Sequence, residues 1–450
     1  MDKRQLCYIV TLWMFMVVLS ALSRAEEKKP LTFWGKRPSP AVFYGIRKDQ
    51  EALEVKYDRK KIRHSSVMQS DSSDRFLKLP ENYPFDIDFD IAKEPPSIDF
   101  AIIQGLEPWC FEYGESVNQS PISASDGFPI WSGFGDVTKG PDGCFYFSIG
   151  NHKYYGGNAF VVRYNPAIKR QEIVLDAAEV IGWKPGDWSD GKIHGDLDIS
   201  PEGDMMMLTF SGPRPLAKEF NNVPYSGAHL LKFNVFSSKA EDLGVPFSGD
   251  TWGYHAWDWE RGILFAVGQA KNTTLIYDTN IRTLVFAGYQ PKGITWWRRC
   301  IMIDRETGCI YTSNSTPAND TSNTIVRWER KNNTFTEMKS RVPVHPVHGI
   351  SFQLRAHTKR KTREGAFWCL GNNGVMFKFY PEADRVDYVG LNWGSEGIYT
   401  TNMCMSPKER YLYYLPGAHS EAWKFGTPIV QFDTRTGKKK VIAFLSDFYL

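Results

Sequence analysis

From about residue 160 to the C-terminus, one pattern of apolar and polar positions recurs six times. Two apolar residues, usually one polar residue, an aromatic and a turn-former follow one another. The copies are Val161-Val162-Arg163-Tyr164-Asn165, Leu230-Leu231-Lys232-Phe233-Asn234, Leu275-Ile276-Tyr277-Asp278, Ile325-Val326-Arg327-Trp328-Glu329, Met376-Phe377-Lys378-Phe379-Tyr380 and Ile429-Val430-Gln431-Phe432-Asp433. Short runs of this kind, closed by turn residues, predict strands. A second strand follows each: Ile173–Leu175, Asp242–Gly244, Leu284–Phe286, Phe335–Met338, Tyr388–Gly390 and Val441–Phe444. Upstream of the phrase lie two more strands joined by turns such as Pro141-Asp142-Gly143, Pro201-Glu202-Gly203 and Glu260-Arg261-Gly262. Glycine closes these turns because tight hairpins need a positive φ. The fifth repeat differs. A basic insertion, His357–Arg363, separates its first two strands and reads as a solvated loop, with a polyanion contact as the sharper alternative.

Four strands per repeat, at a period of roughly fifty residues, predict a β-propeller. The expected fold is all-β, with six blades legible over residues 131–450 and six or seven in total. A seventh would come from the N-terminal region or be missing. Residues 26–130 break the repeat and are rich in proline. They are expected to pack on the propeller or complete a blade, with Leu53–Tyr57 and Ile98–Ile102 as candidate strands.

The first 25 residues change the picture of where the protein works. A charged start, an apolar run from Leu6 to Leu22 and the small-residue end Ser23-Arg24-Ala25 have the layout of a secretory signal. An uncleaved anchor is the alternative, because the run is near the lower limit for spanning a bilayer. No later segment is apolar enough to span one, so no membrane span is expected once the signal is removed. A secreted, extracellular monomer is the expectation. Sequons at Asn118, Asn272, Asn314, Asn319 and Asn332 fit a glycoprotein, with Asn118 weakened by Pro121. Six cysteines remain after the signal, an even number for an oxidising compartment. Cys300 and Cys309 flank a hairpin turn and are expected to face each other as a disulfide, with ordinary buried thiols as the alternative. A net charge of +3 over 450 residues gives no global case for nucleic acid.

Candidate chemistry collects at the predicted starts of the inner strands. These read Gly135-Asp136, His194-Gly195-Asp196-Leu197-Asp198, Tyr254-His255-Ala256-Trp257-Asp258, Trp296-Trp297-Arg298-Arg299, His345-Pro346-Val347-His348-Gly349 and Tyr399-Thr400-Thr401-Asn402. His194, His255 and Tyr254 are candidate acids and bases, and Arg298 is the candidate partner of a substrate carboxylate. Asp196, Arg299, His348 and Tyr399 are candidate binding residues, and Trp252, Trp296 and Trp297 could stack on sugar rings. Asp196 and Asp198 alternate on a predicted strand and so face one side. The bland alternative is that polar residues here satisfy backbone groups near the channel. No motif implies a cofactor, and no metal-ligand spacing is present.

The recurring aromatic-Asn/Asp turns, as in Tyr277-Asp278-Thr279 and Phe432-Asp433-Thr434, resemble the seven-bladed propellers of the YVTN and quinoprotein-like superfamily. Some secreted propellers of this look are polysaccharide lyases, in which His and Tyr do acid–base work and Arg neutralises a uronate. The resemblance therefore implies a propeller that acts on or binds an extracellular glycan, as a lyase or hydrolase for acidic polysaccharide. The rival is a non-catalytic module that binds protein or glycan at the channel mouth.

Overall fold

The computed structural model describes residues 67–80, 89–102, 132–152, 157–184, 187–212, 225–269, 273–289, 299–314, 323–394, 397–417 and 426–445. The fold is an all-β propeller of six blades. The chain divides into two compact units, one holding the stretch up to Asp71 with Ile98–Trp252, the other Ser72–Ser97 with Gly253–Tyr449. Three short strands come first: β1 (Val67–Asp71), β2 (Asp90–Ile91) and β3 (Ile98–Ile102).

The first unit carries two blades. Blade one is β4–β7 (Ser132–Lys139, Phe145–Gly150, Ala159–Asn165, Arg170–Asp176), and blade two is β8–β11 (Asp190–Ile193, Asp204–Ser211, Leu230–Asn234, Lys239–Asp242). Each is a run of antiparallel neighbours, so short hairpin turns suffice to connect it. A short helix, α1 (Ala177–Ile181), links the blades, capped by the Asp176 carboxylate at its start and by Gly182 at its end. Tyr146, Val161, Leu175, Ile193, Met205, Met207, Leu231 and Phe233 form the core of this unit. Glycines let the backbones close in. A Cβ on Gly150 would lie 2.2 Å from the Gly191 carbonyl oxygen. Gly135 sits at φ +70°, where its Cβ would lie 2.2 Å from the Gly195 carbonyl. β1 and β3 pair antiparallel, and the Tyr164 hydroxyl donates to Asp99 at 3.1 Å, tying β3 to blade one.

The second unit carries four blades. They are β12–β15 (Trp252–Asp258, Ile263–Gly268, Thr273–Asp278, Thr283–Tyr289), β16–β19 (Met302–Asp304, Cys309–Ser313, Thr324–Glu329, Thr334–Arg341), β20–β23 (Leu354–His357, Phe367–Gly371, Val375–Tyr380, Arg385–Leu391) and β24–β27 (Met403–Met405, Tyr411–Tyr414, Pro428–Asp433, Lys439–Phe444). In every blade the repeated phrase is the third strand. Its alternate side chains bury against the neighbouring blade, as Val326 and Trp328 do with Ile263 and Phe265. β2 pairs in parallel with β27 and makes blade six a five-stranded sheet. Phe89, just before β2, stacks on Trp393 at 5.2 Å, and Phe76 is fully buried.

Several expectations are corrected. The resemblance implies seven blades, and the described residues form six. Cys309 stands opposite Asp304, while the Cys300 carbonyl accepts from Thr312, so the two thiols are four register positions apart. Among the described residues no cysteine forms a disulfide. The basic insertion is no freely solvated loop. Lys361 is buried and meets Asp304 at 3.1 Å, Glu306 at 2.8 Å and Glu382 at 2.6 Å, which secures the β20–β21 connection to blade four. Those three carboxylates outweigh the cost of burial and hold its ammonium well above the usual lysine range. Asp196 and Asp198 do not lie on a strand, because β8 ends at Ile193 and the chain bulges before pairing resumes at Ile199. Leu53–Tyr57 and residues 1–25 lie outside the described residues.

Candidate functional site

The inner strands of the second unit converge on one guanidinium. Arg355 stands at a break in the β20–β21 register: Leu354 faces Gly371 and Ala356 faces Leu370, leaving Arg355 as the extra residue. A bulge of this kind re-aims a side chain. The Arg355 Nε donates to the Tyr399 hydroxyl at 2.5 Å. Its Nη1 donates to the carbonyls of Arg299 at 2.9 Å and Thr401 at 3.3 Å. The Tyr399 ring lies 5.0 Å from the guanidinium carbon, within cation–π range. Arg299 and Cys300 precede β16, Tyr399 and Thr401 precede β24, and Tyr254 comes from β12. Blades three, four and six thus each bring a group to Arg355 on blade five.

Its electrostatics are unusual. Arg355 is only 5% exposed, and no carboxylate among the described residues pairs with it. Burial alone would weaken the cation. The phenol groups of Tyr399 and Tyr254 and the Tyr399 hydrogen bond outweigh that, so the guanidinium is held above its ordinary value. It stays charged at any physiological pH. A guanidinium has five N–H donors, and Nη2 donates to no described residue. A buried cation without an anion is costly. A ligand carboxylate presented to Nη2 would offset that cost and accept a charge-assisted hydrogen bond.

Solved structures of similar fold include Sqt1 from Saccharomyces cerevisiae, 13% identical over 68% of this chain and 72% of that chain, with a TM-score of 0.43. A nidogen/laminin complex is 11% identical over 64% of this chain and 95% of that chain, with a TM-score of 0.37. No protein-family model and no curated protein matches the chain.

The expected site residues fare differently. Tyr399 bonds Arg355 through its hydroxyl, Arg299 through its backbone carbonyl rather than its side chain, and Tyr254 acts on its charge. Tyr254 packs with Ala256, Phe265 and Ile303. His255, its neighbour on β12, points to the opposite face and is fully buried. His348 sits at no inner-strand entry. It is exposed in the turn before β20, its ring 4.4 Å from that of His345, whose Nδ1 accepts from the His348 backbone N–H. The inner strand of the fifth blade begins nine residues after His345, at Leu354. His194 and Asp196 are buried in the first unit, and Trp252, which opens β12, is fully buried. Arg298, Trp296 and Trp297 lie outside the described residues, as do Asn118, Asn272 and Asn319. Asn332 is exposed in the β18–β19 turn, whereas Asn314 is buried. Arg355 was missed although Leu354-Arg355-Ala356-His357 precedes the basic insertion. An arginine inside an apolar strand, directly before a hairpin connection, was the available signal. Among the described residues no group of three His, Cys, Asp or Glu side chains could hold a metal ion, and no helix is long and apolar enough to cross a membrane.

Proposed function

We propose that the protein is a secreted propeller that binds an acidic extracellular glycan, with Arg355 taking the sugar carboxylate. The observation that carries this reading is a buried guanidinium whose described partners are a tyrosine hydroxyl and two carbonyls, with no carboxylate. The Tyr399 ring lies 5.0 Å from the cation, an aromatic face of the kind a pyranose ring stacks on. Binding is favoured over lysis at this position, because Tyr254 and His255 lie on opposite faces of β12 and cannot act as acid and base on one reacting centre. A panel of acidic and neutral polysaccharides tests the reading. Binding to uronate polymers, lost in Arg355→Ala and without release of unsaturated product at 235 nm, is the expected result. Product release that survives in His255→Ala but not in Arg355→Ala would restore the lyase reading with a different base. Binding that ignores the carboxylate would refute the anion site.

A further inference from the structure

A second cluster of titratable groups lies in the first unit, on blade two. Asp242, at the end of β11, holds the His229 Nδ1 with both carboxylate oxygens, at 2.9 and 3.1 Å. Asp242 is itself fixed by the Gly244 backbone N–H at 2.8 Å. The His229 backbone is locked by Thr209, whose hydroxyl accepts from its N–H at 2.8 Å. This leaves the other ring nitrogen, Nε2, with no hydrogen bond among the described residues. Asp190, the first residue of β8, accepts from the Tyr225 hydroxyl at 3.3 Å. The Tyr225 ring leans on Trp188 at 5.2 Å.

We propose that Asp190 and His229 are the general base and general acid of a hydrolytic site for glycosides. The dyad supplies an oriented imidazole with one open nitrogen, the arrangement in which a carboxylate fixes the tautomer of a catalytic histidine. Asp190 supplies a second, oppositely acting group. Trp188 and Tyr225 supply a tilted aromatic pair beside it, which suits a sugar ring. In the step, the Asp190 carboxylate takes a proton from water. The water oxygen bonds to the anomeric carbon as the bond to the leaving oxygen breaks. The leaving oxygen receives the Nε2 proton of His229. One water is consumed, Asp190 ends protonated and His229 neutral, and exchange with solvent restores both.

The charges around the pair support these roles. Burial raises Asp190 to about 6, against the opposing pull of His229, Thr209 and Tyr225 and with Asp242 adding to the rise. Burial would lower His229, but its bond to Asp242 and the charges of Asp190 and Asp242 prevail, so it lies above its ordinary value. Tyr225 also faces Asp250 and Thr251, and burial next to Asp190 keeps its hydroxyl protonated. Carboxylate and imidazolium therefore coexist from about pH 6 to above the ordinary histidine value.

The sugar class draws on the glycan reading, so the probes are chosen to bypass the anion site. They are 4-nitrophenyl glycosides without a carboxylate: gluco, galacto, manno and N-acetylglucosaminide, in both anomers. The full chain should release nitrophenol from at least one. Asp190→Asn and His229→Gln should each lose about 10²–10⁴-fold. The wild-type rate should follow a bell in pH, and His229→Gln should lose its descending limb, which a purely structural histidine would not control. Release no greater than that of the Asp190→Asn/His229→Gln double variant overturns the proposal. So does full activity in both single variants.

Discussion

At the scale of single residues, the chain places charge where burial makes it consequential. Arg355 is buried with a tyrosine and two carbonyls, and Asp190 with a tyrosine and a threonine. The sequence placed Tyr254, Arg299 and Tyr399 at one level because each precedes or opens a strand recognisable from its turn. It hid Arg355 and Asp190 for different reasons. His345–Gly349 looks like a strand entry but folds as a turn, which displaced the fifth inner strand. Ser189-Asp190-Gly191 looks like a turn but opens a strand. Asp190 also carries a stability prediction. Its native pKa, about 6, lies above the ordinary 3.8, so the folded state binds the proton more tightly than the unfolded chain. The stabilisation is complete below about pH 4 and is lost as pH rises through about 6. His229, also raised, acts in the same direction at higher pH, and Asp242, lowered by His229 and Gly244, acts oppositely at the acid end. Asp190→Asn removes the first effect and weakens the second, because the Asp190 charge helps raise His229, and both changes favour the variant as pH rises. Urea unfolding at pH 4 and pH 7 should therefore show the variant gaining on wild type by on the order of 2–3 kcal/mol between the two. A constant difference across that range would contradict the burial of an ionisable Asp190.

At the scale of elements, hairpin register decides more than residue spacing. The third strands were legible because their apolar-polar-aromatic phrase repeats. The second strands were legible because glycine closes the turn before them. Register was not legible. Cys300 and Cys309 flank Arg305–Gly308 unevenly, five residues before it and one after, and the turn closes with Asp304 opposite Cys309, which leaves Cys300 level with Ser313. A one-residue error in a turn centre moves a cross-strand partner by two. The basic insertion misled at one position: Lys359, Arg360 and Arg363 are exposed as a solvated loop would have them, but Lys361 is buried because other strands and turns supply its acidic partners. Close backbone approach was equally invisible. Gly135 combines a positive φ with a carbonyl where its Cβ would stand. Gly135→Ala should destabilise the protein by about 1–3 kcal/mol or more, since backbone and not a flexible side chain must give way. Thermal unfolding measures this, and an unchanged midpoint would mean that Gly195 does not approach as described.

At the scale of the whole molecule, six copies of one unit account for the fold, while the N-terminal segment is the part the repeat does not explain. Its Ile98–Ile102 strand was legible from composition. Its pairing was not, because a two-residue strand such as β2 has no pattern to read, and its partner β27 is some 350 residues away. The segment nonetheless belongs to the core of the second unit. Phe76 is fully buried, and Pro80 packs on Gly426. Phe76→Ala should cost about 3–5 kcal/mol, the range for a large aromatic lost from a packed site. A cost near zero would show that residues 72–97 are a dispensable strap. The molecule's use, on this account, rests on the carboxylate site at Arg355, and one comparison tests that most directly. Titration of polygalacturonate and of its methyl ester against the wild type and Arg355→Ala isolates the carboxylate from the rest of the sugar. The account expects the wild type to bind the acid at least about tenfold more tightly than the ester, the equivalent of roughly 1.4 kcal/mol. It expects Arg355→Ala to lose that preference while keeping its fold by circular dichroism. Equal binding of acid and ester by the wild type, or an undiminished preference in Arg355→Ala, would contradict it.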